Sequence, residues 1–445
     1  MLQALEGRSD REAIDALRTD LRWKVAAGLP LDHEGFHPTV LTLWRNKLRA
    51  SESPERIFDA VRAVVAETGV LAGKTPRALD STLLDDAVAT QDTVTQLVSM
   101  IRRVRKAISA AADVDVGAHD YDSGGKPSCA WDDPAARDEL VTGLVKDART
   151  VLAAVEGVEL DDDDQRLVAL LALVAGQDVE PDPERGKGAW RIAQRVAPDR
   201  VISTVDPESR HMHKSRSSYR DGYKAHVVVE PDTGIITGCD LTPANTSDGP
   251  TGAALLAGEE PGLQVLADSA YGSGDVRAGL AAAGHDVVIK PIPLRRNPRL
   301  GDDQFNRDDF VIDHDARTAT CPEGHSVHIT AHGTATFGAR CRGCPTRHRC
   351  TSSVDSRLLA ITEHDQFLTA ARADWRAKTG LDDYRQHRPM VERGIAWLVA
   401  KGNRRVRHRG IDRNRLALST RVAALNLRRL INLGLRHEPT GWAIT

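Results

Sequence analysis

The chain has 445 residues, with 60 Lys and Arg against 63 Asp and Glu, a formal net charge of −3 and 41% hydrophobic residues. That length predicts two or three domains, and the ordinary, mildly polar composition reads as that of a soluble globular protein. The longest apolar stretch, Leu167 to Gly176, is too short to span a bilayer, so no membrane partner is expected. The N-terminus has neither a basic region nor an apolar export segment, which predicts a reducing compartment and unpaired cysteines.

Residues 1 to about 70 read as helical. Ser9-Asp10-Arg11-Glu12 precedes Ala13, Ile14, Leu17 and Leu21 at helical spacing. Ser53-Pro54-Glu55 predicts an N-cap with Pro at the first helical position, followed by Ile57, Val61, Val64 and Val65 on one face. Arg77 to Leu84 is a brief strand-like segment. Val94, Leu97, Val98, Ile101, Val104 and Ile108 then hold a 3.6-residue period, and Leu140 to Val155 continues it after a Gly, Pro and Asp-rich loop. The acidic run Asp161 to Asp164 reads as a solvated helix start, since it lacks the Gly and distal Glu of a calcium loop. Gly186-Lys187-Gly188 lacks the spacing of a phosphate-binding loop, so no nucleotide cofactor is expected.

From Arg200 the texture turns β-rich. Ile202 to Asp206 reads as a strand ending in a carboxylate, with His211, His213, Lys214 and Arg216 following in a candidate DNA-facing loop. Tyr223 to Val229 and Ile235 to Cys239 flank the turn Pro231-Asp232-Thr233-Gly234 and predict a hairpin. Pro250 to Ala257 predicts a helix, Val265-Leu266-Ala267 a buried strand stopping at Asp268, Val276 to Ala283 a helix, and Val287 to Ile289 a strand. With the Asp80 segment as the first strand, the order is β-β-β-α-β-α-β.

Cys321, Cys341, Cys344 and Cys350 form Cys-x19-Cys-x2-Cys-x5-Cys, which predicts tetrahedral structural zinc, with His325 as an alternative ligand and a small hairpin between Val327 and Phe337. Cys129 and Cys239 are isolated and read as structural. Tyr384, Arg388 and Glu392 are spaced to share one helical face, unless Pro389 starts the helix and leaves Tyr384 outside it. Arg385 to Arg436 hold fourteen Lys and Arg against Glu392 and Asp412. A surplus this one-signed predicts a polyanion partner.

The segment Val265 to Gly274 resembles the second-aspartate motif of DDE-type transposases from bacterial insertion sequences. Leu79-Asp80-Ser81-Thr82 is similar to that family's first-strand aspartate motif, and Tyr384 to Arg393 to its helical glutamate signature. The stretch from Asp206 to Asp248 resembles the family too, and Glu6 to Arg45 looks like its helical N-terminal domain, within which this chain is expected to begin. The likeness is strongest from about Arg195 to Gly434. One departure is that the family often carries a Lys seven residues after the Glu; Val399 stands there, and Lys401 is nearest.

The resemblance implies an α/β chain with an RNase H-like core and mixed sheet. Its expected divisions are a helical N-terminal domain (1–75), the first core strand (76–84), a long all-α insertion (85–195), the core (196–298), a Cys-rich inserted module (299–358) and a basic helical C-terminal segment (359–445). It implies Asp80, Asp268 and Glu392 as catalytic ligands of Mg²⁺ or Mn²⁺, with Asp206 competing for the place of Asp80. The expected DNA contacts are Lys224 (or else a hairpin-edge role for it), Arg388, Lys401, Arg404, Arg405, Arg407 and Arg409. The implied reaction is DNA cleavage and strand transfer by a homodimer on terminal-repeat and target DNA, in the bacterial cytoplasm at the nucleoid. A decayed or co-opted transposase that only binds DNA is the alternative.

Overall fold

The computed structural model describes all residues except 124, 216 and 217, and of Lys214 and Ser215 the backbone alone. The N-terminal part is helical, and its helix Asp10–Thr19 is closed by a full capping box between Ser9 and Glu12. The helix Arg56–Glu67 starts later than Ser53-Pro54 suggested. Its N-cap is Glu55 with no side-chain cap, and Arg56 N–H donates to the Ser53 carbonyl at 3.3 Å.

The central sheet uses six strands, in chain order β1 (Pro76–Asp85), β2 (Arg210–Ser215), β3 (Ser218–Glu230), β4 (Ile235–Pro243), β5 (Gln264–Ala267) and β6 (Asp286–Ile289). β1 lies between β3, antiparallel, and β5, parallel; β5 is in turn parallel to β6. β4 pairs with the C-terminal part of β3 and β2 with its N-terminal part. The path β4-β3-β1-β5-β6 is compatible with an RNase H-like core. β3 is buried on both faces from Gly222 to Glu230, as a central strand requires.

Helices cover both faces. Ala78, Tyr223, Ala225, Val227 and Val229 pack against Val391, Leu398, Leu418 and Val422. The opposite face, with Leu79, Val228, Val265 and Ala267, packs against Leu256, Val276 and Leu280. Between β1 and β2 three long helices, α1 (Thr93–Ala107), α2 (Pro134–Ala154) and α3 (Asp162–Gln177), with the short helix Ser109–Ala112, enclose a hydrophobic cluster of their own. The segment is not all-α as expected, because Val179–Pro181 pairs with Trp190–Ile192 as a small sheet. α3 is capped by Asp161 with Asp162, Asp163 and Asp164 in its first turn, a favourable place for negative charge. Further on come α4 (Asp248–Leu256), α5 (Gly274–Ala282), α6 (Leu381–Val399) and α7 (Ile411–Asn432).

Three local expectations are corrected. Ile202 to Asp206 is not a strand: only Val201 forms an isolated bridge, to Arg210, and the Gln91 side chain accepts the Thr204 N–H at 2.7 Å. Val327 to Phe337 closes only one bridge, Ile329 to Ala335, because Ser326–His328 pairs with Thr318–Thr320 and Thr334–Thr336 with Leu358–Ala360. His211, His213 and Lys214 lie on strand β2 and not in a loop. The continuous-helix reading of α6 holds, with Pro389 inside it and Tyr384 part of the helix. Arg216 lies outside the described residues.

Candidate active site

Asp80 reaches its place because β1 runs parallel to β5 in the register Ala78 to Leu266. Asp80 and Asp268 are each two residues further on, so the alternation of a strand sends both carboxylates to one face. Asp268 follows the last residue of β5 and caps a single 3-10 turn, Ser269–Tyr271, accepting the Ala270 N–H at 2.9 Å. Asp80 is held in turn by the Ser81 N–H at 2.8 Å.

α6 crosses this face of the sheet. Its residues Arg388, Val391, Gly394 and Leu398 are buried at helical spacing, and a Cβ on Gly394 would stand 3.3 Å from Val229. The Arg388 guanidinium faces Asp80 at 2.9 Å and Glu392 at 3.7 Å, so one cation links the two carboxylates. The Asp80 side chain is 18% exposed, whereas Glu392 is 68% exposed, at the open side of the site.

The electrostatics agree with that grouping. Burial raises the Asp80 carboxyl above its ordinary range, Arg388 opposes this, and the nearby Asp268 charge adds to it. Burial also raises the Tyr384 hydroxyl, on which Arg388, Asp268, Asp80 and Glu392 all act. The Arg388 Nε and Nη1 atoms are buried without hydrogen-bond partners.

Hard carboxylate oxygens in mutual repulsion, one of them partly desolvated, suit a hard divalent cation. Asp80 and Asp268 would form its inner wall and Glu392 its rim. Among the described residues, no three His, Cys, Asp or Glu side chains are gathered into a ready ligand set. At Asp80 the positive charge belongs to Arg388.

Asp206 lies elsewhere. It is 1% exposed, accepts the Tyr223 hydroxyl at 2.6 Å and the Gly410 N–H at 3.2 Å, and so ties β3 to the start of α7. Lys224 is turned inward: it is 3% exposed, donates to the Thr246 carbonyl at 2.6 Å and pairs with Asp248 at 3.1 Å. Ser81 pairs with His226, so this buried Lys224–Asp248–His226 group occupies the sheet face opposite Asp80. The alternation of Lys224 and His226 along β3 could have signalled it; Asp248 could not be paired with them from sequence spacing.

The basic segment runs beside β1. Asp85 N–H donates to the Arg404 carbonyl and Val406 N–H to the Asp85 carbonyl, both at 2.8 Å. Arg404 Nη1 reaches Thr82 Oγ1 at 3.3 Å, on the same strand face as Asp80. Arg405 donates to the Asp86 carbonyl at 3.0 Å, and Arg407 to the carbonyls of Gly7 and Arg8. Lys401, Arg405, Arg407 and Arg409 are exposed.

Cys321, Cys341, Cys344, Cys350 and His325 line one cavity at some remove, within the strands of residues 311–360. Cys129 and Cys239, like these four, are free thiols.

The mixed sheet, with Asp80 on β1, Asp268 just past the end of β5 and α6 across the same face, is compatible with an RNase H-like core. The sequence model of the family described as Transposase DDE domain matches residues 193–427, more than half of the chain. The chain belongs to that family, the DDE-type transposases of insertion sequences. No curated protein and no solved structure matches it. Among the described residues, no helix is long and apolar enough to cross a membrane.

Proposed function

We propose that the chain carries out divalent-metal-dependent DNA cleavage and strand transfer, joining freed 3′-hydroxyls at element ends to target DNA by in-line attack. The observation that supports it most is that Asp80 and Asp268 each follow by two residues the parallel pair Ala78 and Leu266, near enough for the Asp268 charge to act on Asp80, with Arg388 between Asp80 and Glu392. In this reading Asp80 and Asp268 would hold the Mg²⁺ or Mn²⁺ ions, and Glu392 would complete the ligand set and orient the nucleophile. Such ions, when bound, supply an activated hydroxyl and a stabilised leaving oxygen.

The chain's own groups position the DNA. Arg388 has two buried nitrogens without hydrogen-bond partners, one of them in a loose ion pair with Glu392, and its planar fork suits a phosphate. Arg404 lies along the same strand face, and Lys401, Arg405, Arg407 and Arg409 continue a cationic track for the backbone of the substrate. The helices of residues 1–75 would add contacts to terminal-repeat DNA and those of residues 85–195 form an insertion. The acting species would be a homodimer on DNA in the bacterial cytoplasm, at the nucleoid.

A donor plasmid carrying the DNA that flanks the reading frame, incubated with a target plasmid, tests this. Joined product should form with Mg²⁺, vanish with chelator, and vanish in D80N and D268N variants that still bind DNA. If wild-type protein binds the ends yet yields no cleaved or joined product with Mg²⁺ or Mn²⁺, catalysis is excluded.

A further inference from the structure

The module between β6 and α6 is small for its independence. Its strands, Val311–Asp313, Thr318–Thr320, Ser326–His328, Thr334–Thr336 and Leu358–Ala360, have three residues each. Its core is a short cluster around Phe310, Ala319, Val327, Phe337 and Leu359, in which two of the buried members are Cys341 and Cys350. A core this size is usually stapled by disulfides or a metal. All four cysteines are free, so disulfides are not the staple here.

We propose that Cys321, Cys341, Cys344 and Cys350 bind one structural Zn²⁺, and that this ion stiffens the module that braces the helix leading into Glu392. The four side chains line a single cavity. Two tight turns present them: Gly324 (φ 79°) closes the turn after Cys321 and donates to its carbonyl at 2.9 Å, and Gly343 (φ 75°) lies between Cys341 and Cys344. Both backbones are left-handed, which glycine adopts without strain. Cys321 and Cys344 are partly exposed and Cys341 and Cys350 buried. Among the described residues the sulfurs are not gathered into a ready ligand set, so metal binding would require these side chains to change rotamer.

The surroundings suit an anionic centre. Four thiolates around Zn²⁺ carry a net charge of about −2. Arg340, Arg347 and Arg357 line the same cavity, against Glu323 alone among acids. The Arg357 N–H donates to Cys341 Sγ at 3.5 Å, and the Arg357 Nε is buried without a partner. Donors aimed at the sulfurs are the usual outer partners of a thiolate metal site.

The module's other edge grips the polypeptide that precedes α6. Asp308 receives Arg372 at 2.7 Å and Arg376 at 2.8 Å, and Arg307 pairs with Asp365. These partners all lie on the helix Asp365–Ala377, which turns through Lys378 and Gly380 straight into α6. Zinc would therefore act on the placement of Glu392 through this brace, independently of the reaction proposed above.

Full-length protein purified without chelator should contain about one zinc per chain by elemental analysis. Replacement by Co²⁺ should give the absorption bands of a tetrahedral thiolate complex. C344S and C350S should lose the metal while H325A keeps it. If those variants do not fold, mercurial titration of wild-type thiols should release the zinc instead. On metal removal, hydrogen exchange should accelerate in residues 299–358 and in the helix Asp365–Ala377, while the amides of β3 stay protected. Zinc-free protein whose four thiols react freely, an intact mass showing disulfides, or zinc lost on H325A and kept on C344S, would each overturn the assignment. Exchange unchanged outside residues 299–358 would overturn the brace.

Discussion

At the scale of single residues, Arg388 and a divalent cation are alternatives for the charge of Asp80. The guanidinium neutralises a carboxylate that burial and Asp268 both disfavour, and removing one member of a buried pair leaves the other uncompensated. R388Q should therefore melt at a lower temperature than wild type in chelator. With Mn²⁺ added, its melting temperature should rise by more than that of wild type. Calorimetric titration should show Mn²⁺ binding tightened roughly three- to tenfold, at most about 1.4 kcal/mol. Unchanged or weaker binding would remove Arg388 as a competitor. On the opposite sheet face, burial lowers the His226 pKa to about 4, with Asp248 opposing and Lys224 adding to the shift. His226 is thus neutral in the fold and protonates more readily when unfolded. Its penalty on the fold is absent above about pH 6.5 and grows as pH falls toward about 4. A series of thermal melts should show stability declining across that window, with a shallower decline in H226Q; parallel declines would exclude His226 as the titrating group.

At the scale of elements, two helices set the site's geometry. α4 approaches β1 so closely that a Cβ on Gly252 would stand 2.6 Å from the Tyr271 ring and 2.9 Å from Leu79. G252A should therefore destabilise the chain by about 1–3 kcal/mol through overpacking, measured by urea denaturation. It should also impair metal binding, because Tyr271 and Leu79 are neighbours of Asp268 and Asp80 in the chain. A variant as stable as wild type would show that the layers can separate at no cost. α6 continues through Pro389 although proline supplies no N–H to the helix. Sequence spacing left open whether Pro389 started the helix. Burial of Arg388, Val391 and Leu398, and the edge-on contact of Tyr384 with Trp375 at 5.1 Å, hold the first turns in place. Tertiary packing thus outweighs a local helix-breaking preference.

At the scale of the whole molecule, the C-terminal cationic surplus divides into internal and external parts. Arg421 is buried and donates to the carbonyls of Leu5 and Trp397, each at 2.6 Å, and Arg429 donates to the Thr233 carbonyl. Arg404, Arg405 and Arg407 donate to backbone carbonyls, and among the described residues no carboxylate pairs with them or with Arg409. Their charge is therefore not offset by an ion pair, as the proposed DNA track requires. R405A/R409A should weaken duplex binding alike on all sequences and flatten the log–log salt dependence by about two units, close to 0.9 per lost phosphate contact. Fluorescence anisotropy across a salt series reads this directly, and an unchanged slope in a folded variant would exclude the track.

Local chemistry made much of the architecture legible from sequence. The Ser9 and Asp161 caps, the period of Val94 to Val104, the β3–β4 hairpin and the strand stopping at Asp268 all depend on short-range spacing and turn residues. The family followed from the order of three motifs. Side-chain direction was not legible, because it depends on partners distant in the chain. Lys224 looks like any cation beside a strand, yet pairing with Asp248 and Thr246 draws it inside. Asp206 and Asp80 look alike as carboxylates near strands. Only the parallel β1–β5 register places Asp80 beside Asp268, while Tyr223 and Gly410 bind Asp206 elsewhere. Sequence by itself determined which elements form and which family they compose. Long-range strand pairing and the crossing of α6 decided which charges meet, since register and burial are properties of contacts between segments.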